Sequence, residues 1–189
     1  MKTILYIHGF NSAGNGAKAE ALKSAYPKLK IVSPTFAYKD LNAVLKQINS
    51  TFITCRHNLV IGTSLGGFFA LYCGCKYKIP CICINPTTKP SETLKGMIGE
   101  NKNYVTKERY IITEQDLAKY KSFENEVFAK LQPTDNQTAF ILSNDDELLG
   151  DHHYLEELFP QCHNFQYFDG QGHRFASIKP IKAQIDKFL

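Results

Sequence analysis

Residues 59–70 read Leu-Val-Ile-Gly-Thr-Ser-Leu-Gly-Gly-Phe-Phe-Ala, an apolar run that passes through Gly-x-Ser-x-Gly into a second apolar run. The first run predicts a buried strand ending near Gly62, and the second predicts a helix from Leu65. A sharp strand-to-helix turn presents a serine hydroxyl beyond the sheet and needs small residues two positions before and after it. The positive end of the helix would lie beside that hydroxyl. Ser64 is therefore a candidate nucleophile.

Strand and helix patterns alternate along the rest of the chain. The predicted strands cover 3–8, 30–33, 58–62, 80–85, 138–143 and 164–168. The predicted helices cover 15–26, the segment that Asp40 caps, 65–77, 114–131, 151–159 and 177–189. This alternation predicts a single α/β domain over residues 1–189, with a mostly parallel sheet of about six strands and helices on both faces. Together with the serine turn, it favours the α/β-hydrolase fold.

Residues 86–113 interrupt the alternation. They contain two prolines, two glycines and several Asn and Thr residues. We predict an irregular excursion with one short helix at 92–98, capped by Ser91, in place of a full cap domain. Because the excursion follows a strand end, we expect it near the ligand site.

A serine hydroxyl is a poor nucleophile without a base. In the α/β-hydrolase fold, the acid and then the histidine follow the serine along the chain. His8 and His57 precede Ser64, so this order excludes both as the base. His173 follows the last predicted strand in a glycine-rich loop, whereas the other three histidines lie on a predicted helix or at a strand start. We predict His173 as the base.

The acid should come from the loop after strand 138–143, where Asp145, Asp146 and Glu147 are consecutive. Its role is to hold the tautomer of the histidine and to stabilise the imidazolium. We predict Asp146, with Asp145 as the alternative acid. Glu147 is expected to point elsewhere.

An oxyanion hole needs two preorganised N–H donors. We assign them to the amides of Leu65 and Phe10, with Asn11 as the second choice for the latter. The predicted pocket residues are His8, Asn11, Asn85 and Pro86, with a structural role at the strand end as the alternative for His8. We expect a shallow, open site at this edge of the sheet.

Composition narrows the classes of protein and the kinds of partner that the chain can have. Hydrophobic residues make up 43% and charged residues 21%, which is typical of a globular domain. No apolar run reaches membrane-spanning length, and residues 1–7 are interpreted as the first strand rather than a leader. The net charge of +4 comes with no basic stripe, phosphate loop or dinucleotide motif. We predict no cofactor, no metal, and neither nucleic acid nor membrane as a partner; the oligomeric state is left open.

Six cysteines raise the question of disulfides or zinc: Cys55, Cys73, Cys75, Cys81, Cys83 and Cys162. The pair Cys73 and Cys75 falls on a predicted helix, where positions i and i+2 do not share a face. Free cysteine packs as a small apolar residue. We predict free thiols in the core and a reducing, cytoplasmic environment.

Several motifs together resemble the small YqiA/YcfP-type esterases. They are residues 6–12 with 17–19, residues 62–70, Asn85-Pro86 with the segment up to Thr106, residues 146–149 and residues 172–175. The resemblance covers nearly the whole chain, and the Asn-Pro segment is its most family-specific part. It implies a compact α/β-hydrolase with esterase activity, with Ser64, Asp146 and His173 as its triad. Asp145 departs from the usual glycine of that family.

Two functional hypotheses follow. The first is a serine esterase that hydrolyses short acyl esters or acyl thioesters, small-molecule substrates, through an acyl-enzyme intermediate. The alternative is a non-catalytic binding protein of the same fold. Such proteins usually lose part of the triad, and here the predicted triad is complete.

Overall fold

A computed structural model describes residues 1–189 and contains eight strands and seven α-helices. The strands are β1 Thr3–Ile7, β2 Lys30–Val32, β3 Leu59–Thr63, β4 Cys81–Ile84, β5 Gly99–Lys102, β6 Arg109–Ile112, β7 Thr138–Ser143 and β8 Phe165–Phe168. The helices are α1 Ala17–Ala25, α2 Leu41–Thr54, α3 Leu65–Tyr77, α4 Pro90–Thr93, α5 Glu114–Val127, α6 Tyr154–Leu158 and α7 Lys179–Phe188. Short 3-10 helices cover Lys95–Met97 and Phe128–Lys130.

Six strands form one parallel sheet in the order β2-β1-β3-β4-β7-β8, which confirms the predicted fold class. Every residue of β1, β3, β4 and β7 is buried, as expected for strands covered on both faces. Alternate side chains enter two cores. Leu5 and Val60 pack with α2, α3 and α5, whereas Ile4 and Ile61 pack with α1 and α7.

All six strands point the same way, so their carboxyl ends meet at one edge of the sheet. The loops that follow β1, β3, β4, β7 and β8 therefore converge there. These loops carry the candidate residues from five separate parts of the chain. Ligands of open α/β sheets bind at this edge.

The prediction of an irregular excursion at 86–113 is wrong in part. Strands β5 and β6 form an antiparallel hairpin, in which Gly99 pairs with Ile112. Its six-residue connection lacks a two-residue turn motif and is held by Asn103, whose Oδ1 accepts from the Val105 and Thr106 amides. β5 is polar, and in β6 the apolar Ile111 faces solvent, so hydrophobic periodicity gives little sign of either strand.

The short helix in this segment also differs from its prediction. It begins at Pro90, with Lys89 at the N-cap, and Ser91 does not cap it. The Ser91 amide and hydroxyl instead donate to the buried Glu124 carboxylate on α5. Ser91 therefore ties the excursion to α5.

All six cysteines are free thiols. Cys73, Cys81, Cys83 and Cys162 are buried, and Cys55 and Cys75 are half-buried. The buried four confirm the expectation of core packing. No helix is both long and apolar enough to cross a membrane.

Candidate active site

Ser64 lies on a strained turn between β3 and α3. Its backbone has φ 55° and ψ −122°, a conformation that costs energy in a residue other than glycine. The turn is tight because β3 and α3 almost touch: a Cβ on Gly62 would lie 2.0 Å from the Gly66 carbonyl oxygen. The two glycines of the motif thus allow the approach that places the Ser64 hydroxyl at the sheet edge.

Three predicted residues come together around this hydroxyl. The Oγ of Ser64 is 2.9 Å from Nε2 of His173, and Nδ1 of His173 is 2.9 Å from each carboxylate oxygen of Asp146. A carboxylate only accepts hydrogen bonds, so Nδ1 carries the proton. Nε2 is then the free acceptor, and it faces the Ser64 hydroxyl. All three residues are buried.

The alternative acid, Asp145, does not reach His173. It is exposed, and its Oδ1 accepts from the Ser143 hydroxyl at 2.5 Å and from the Gln171 and Gly172 amides at 3.2 and 3.3 Å. These hydrogen bonds, led by that from Ser143, hold the pKa of Asp145 below its usual value. Asp145 fastens the loop that carries His173.

The expectation that Glu147 points elsewhere is wrong. Its Oε2 accepts a hydrogen bond from the His173 amide at 2.8 Å, and this contact lowers the pKa of Glu147. Asp145 and Glu147 thus hold the backbone of the histidine loop, while Asp146 between them binds the imidazole.

Asn85 was predicted to line the pocket, and this is wrong because the residue is fully buried. Its Oδ1 accepts from the Ser143 amide at 2.8 Å, and its Nδ2 donates to the Gly172 and His173 carbonyls at 3.0 Å. The side chain links the ends of β4 and β7 to the histidine loop. Pro86, also predicted in the pocket, is buried beside Gly67 on α3.

His8 is likewise buried and does not line an open pocket. Its Nδ1 donates to the Gly9 carbonyl at 2.8 Å, and its Nε2 accepts from the Phe36 amide at 2.9 Å. Burial lowers the pKa of His8 to about 4, so the ring is neutral at pH 7. The neutral ring fixes the loop after β1 against the loop after β2.

This arrangement makes folding stability depend on pH. Between pH 6.5 and 4 an unfolded chain protonates His8 and the folded chain does not, so the free energy of unfolding falls as the pH falls. We expect His8 to contribute a loss of about 2 kcal/mol between pH 6.5 and 5. His8→Gln should flatten urea-unfolding stability over this range, whereas His163→Gln, at an exposed position, should keep most of the wild-type slope. Equal slopes in wild type and His8→Gln would contradict the assignment.

Two backbone amides are available near the Ser64 hydroxyl. Phe10 follows Gly9, where an added Cβ would lie 3.4 Å from the Ser64 Cβ, and the Phe10 amide has no acceptor within the protein. Leu65 is the first residue of α3, where an N–H has no intrahelical acceptor. The structure thus leaves both predicted oxyanion donors unpaired.

The excursion braces the loop that contains Phe10. The Tyr110 hydroxyl donates to Asn11 Oδ1, the Tyr104 amide donates to the Asn11 carbonyl at 2.9 Å, and Asn103 Nδ2 donates to the Ser12 carbonyl at 2.6 Å. A cavity of about 180 Å³ lies between this hairpin and the loops after β1 and β2. It is lined by Asn11, Thr35, Phe36, Ala37, Tyr38, Lys39, Asn103, Glu108 and Tyr110.

Sequence reasoning missed one buried contact of the acid. His152 Nε2 lies 2.8 Å from Asp146 Oδ2, and both side chains are inaccessible to solvent. His152 lies in the predicted helix 151–159 and was therefore not predicted as a site residue. In the structure α6 begins two residues after it, and no sequence motif marks the contact with Asp146. Burial by itself would raise the pKa of Asp146, but hydrogen bonds from His152, His173 and the Leu149 amide bring it well below its usual value. The acid is therefore ionised at neutral pH.

No group of three or more His, Cys, Asp or Glu side chains is arranged to hold a metal ion.

A parallel sheet in this strand order, with a serine turn after β3 and Asp and His in the loops after β7 and β8, defines an α/β-hydrolase-fold protein. Est1E from Butyrivibrio proteoclasticus has a similar structure, with a TM-score of 0.72 at 12% identity over 99% of this chain and 86% of that chain. A monoacylglycerol lipase from Paleococcus ferrophilus matches with a TM-score of 0.67 at 11% identity, over 98% and 93% of the two chains. At these identities the likeness concerns the fold.

Within this class, the chain belongs to the Uncharacterised protein family (UPF0227), whose profile matches residues 3–189. UPF0227 protein YE1706 from Yersinia enterocolitica is 25% identical over 191 residues, which cover 98% of this chain and 97% of the relative. A UPF0227 protein from Yersinia pseudotuberculosis matches with the same identity and coverage. Family membership confirms the resemblance seen in the sequence motifs.

Proposed function

We propose that this protein is a serine esterase that hydrolyses short acyl esters or acyl thioesters. The observation that carries the proposal is the buried hydrogen-bonded chain from Ser64 through His173 to Asp146, with both links at 2.9 Å. The names of two structural neighbours, the esterase domain of a Rhodothermus marinus protein and a monoacylglycerol lipase, agree with ester hydrolysis on this fold. Fold alone would not support an activity.

The mechanism follows from the positions of these atoms. The Ser64 Oγ attacks the acyl carbonyl carbon while His173 Nε2 takes the hydroxyl proton. The carbonyl oxygen becomes an oxyanion, which the Phe10 and Leu65 amides stabilise. Its collapse breaks the bond to the leaving alcohol or thiol, which receives the proton from His173. Water, deprotonated by His173, then releases the acid from the acyl-Ser64 ester.

Asp146 remains ionised throughout this cycle. It stabilises the imidazolium form of His173 and keeps Nδ1–H as the donor, so Nε2 faces the nucleophile. The low pKa of Asp146 agrees with this role because the carboxylate holds its proton too weakly to take one from the imidazolium.

The preference for short acyl groups rests on the size of the excursion at 86–113. It contains one short α-helix, one 3-10 helix and one hairpin and no larger cap that could enclose a long acyl chain. We expect p-nitrophenyl butyrate and a short acyl-CoA to be hydrolysed faster than their long-chain counterparts. Faster hydrolysis of the palmitoyl substrates would contradict the proposed acyl preference.

A fluorophosphonate probe tests the function directly, because it labels only an activated serine. We expect one label per chain, which mass spectrometry of the digested protein should map to Ser64. A binding protein of the same fold would remain unlabelled. An unlabelled wild-type chain, or a label on another serine, would overturn the proposal.

The two adjacent aspartates should differ sharply on substitution. Asp146→Asn should lower kcat/KM for p-nitrophenyl butyrate by at least about a thousandfold, because an amide can hold His173 in the wrong tautomer. Asp145→Asn keeps an acceptor for the Gln171 and Gly172 amides and should cost less than about tenfold. The reverse order of effects would show that Asp145 is the acid.

A further inference from the structure

We propose that His152 is a positioning residue, which holds the Asp146 carboxylate in the orientation that serves His173. The inference rests on the proposed function, since it concerns the same site. Asp146 lies between two imidazoles: His173 faces the nucleophile on one side, and His152 is buried on the other.

The protonation state of His152 follows from its surroundings. Its Nε2 is 2.8 Å from Asp146 Oδ2, and a carboxylate only accepts, so Nε2 carries a proton. Its Nδ1 is buried without any hydrogen-bond partner. A proton there would leave a buried N–H without an acceptor, which is costly. His152 therefore acts toward Asp146 as a fixed donor.

This donor completes the fixation of the carboxylate. The Leu148 and Leu149 amides both donate to Oδ1, at 2.9 and 2.8 Å, and His152 donates to Oδ2. With one oxygen held by the acid loop and the other by His152, the carboxylate group has a single orientation. In that orientation, both of its oxygens are 2.9 Å from His173 Nδ1.

The other charged and titratable groups around His152 have separate partners. The Asp151 carboxylate binds the ring of His153, the Tyr154 hydroxyl bonds to Thr88, and Glu147 binds the His173 amide. Loss of the His152 donor would therefore act chiefly on Asp146. A carboxylate with fewer donors is more basic, and a more basic Asp146 favours protonated His173.

The test is the rate at which a fluorophosphonate labels Ser64, measured against pH in three variants. His152→Phe removes the donor, and His152→Gln keeps an N–H donor on a side chain of similar reach. His153→Phe is the matched control because His153 is exposed and stacks on Tyr167. Thermal unfolding of each variant shows whether the protein is folded.

We expect His152→Phe to label about tenfold more slowly at its optimum, the scale of a misplaced catalytic group. The acidic limb of its pH–rate profile should move to higher pH, because Asp146 becomes more basic. His152→Gln should recover most of the rate and the wild-type limb, and His153→Phe should match wild type.

A purely structural role predicts a different pattern. It would lower the rate of His152→Phe in proportion to the folded fraction and leave the acidic limb in place, and that result would overturn the inference. If His152→Phe does not fold, the comparison is made between His152→Gln and His152→Leu. A labelling profile of His152→Gln that matches wild type supports the inference. A His152→Gln profile no better than that of His152→Leu overturns the inference. Failure of the proposed function is distinguishable, because wild type itself would then remain unlabelled.

Discussion

Ser64→Ala is expected to lower kcat/KM for p-nitrophenyl butyrate by at least about 10⁴-fold. The variant lacks the oxygen that lies 2.9 Å from His173 Nε2 and that forms the acyl-enzyme in the proposed mechanism. His173, Asp146 and both amides remain in place, so the residual rate measures what they contribute without a nucleophile. Folding should be preserved, because alanine removes one hydroxyl from a turn that is held by backbone contacts.

Ser50→Ala is the matched control for this variant. Ser50 is exposed on α2, away from the sheet edge that carries the site, and its replacement should leave the rate unchanged. Purified Ser64→Ala with more than a few per cent of the wild-type rate would exclude Ser64 as the nucleophile.

Gly66→Ala should strongly destabilise the protein. A Cβ at Gly66 would lie 2.2 Å from the Ile7 carbonyl oxygen and 2.4 Å from that of His8. Both atoms belong to the backbone at the end of central strand β1, so neither can rotate aside. We expect the free energy of unfolding to fall by about 3 kcal/mol or more in urea titrations, or the variant to be recovered unfolded.

The sign of the change in the free energy of unfolding is informative, because alanine is a better helix former than glycine. Replacing a helical glycine by alanine ordinarily adds about 1 kcal/mol of stability. Gly96→Ala is the matched control: nothing lies within 4 Å of its added Cβ, and its change should stay within about 0.5 kcal/mol. A Gly66→Ala variant as stable as wild type would contradict the close packing of α3 on β1.

The candidate nucleophile and base could be found from sequence because each depends on local patterns in a known chain order. Ser64 has an apolar strand before it and a helix after it. His173 lies in a glycine-rich loop after the last strand, ahead of α7. These patterns act over fewer than a dozen residues, and the fold arranges them at one edge of a parallel sheet.

The supporting residues could not be identified in this way. Asn85 is predicted to line the pocket because it follows a strand, but it is buried with its polar atoms bonded to other loops. For His8, which had a structural or a pocket role open to it, the buried ring and its bond from the Phe36 amide show the structural one. The hairpin of β5 and β6 is not recognisable from sequence, because β5 is polar and β6 has apolar residues on both of its faces. Asn103 and Tyr110 also bond to Ser12 and Asn11, which lie 91 and 99 residues away in the chain.

By itself, the sequence determined the six strands of the parallel sheet and the candidate pair Ser64 and His173, because strand and helix periodicity and the serine turn are local properties. Only the tertiary structure decided among Asp145, Asp146 and Glu147. Three adjacent carboxylates are chemically alike in sequence, and the direction of each side chain depends on the loop that packs against it. In that loop the His173 ring binds Asp146, and the loop amides donate to Asp145 and Glu147. His152 contacts the other side of Asp146.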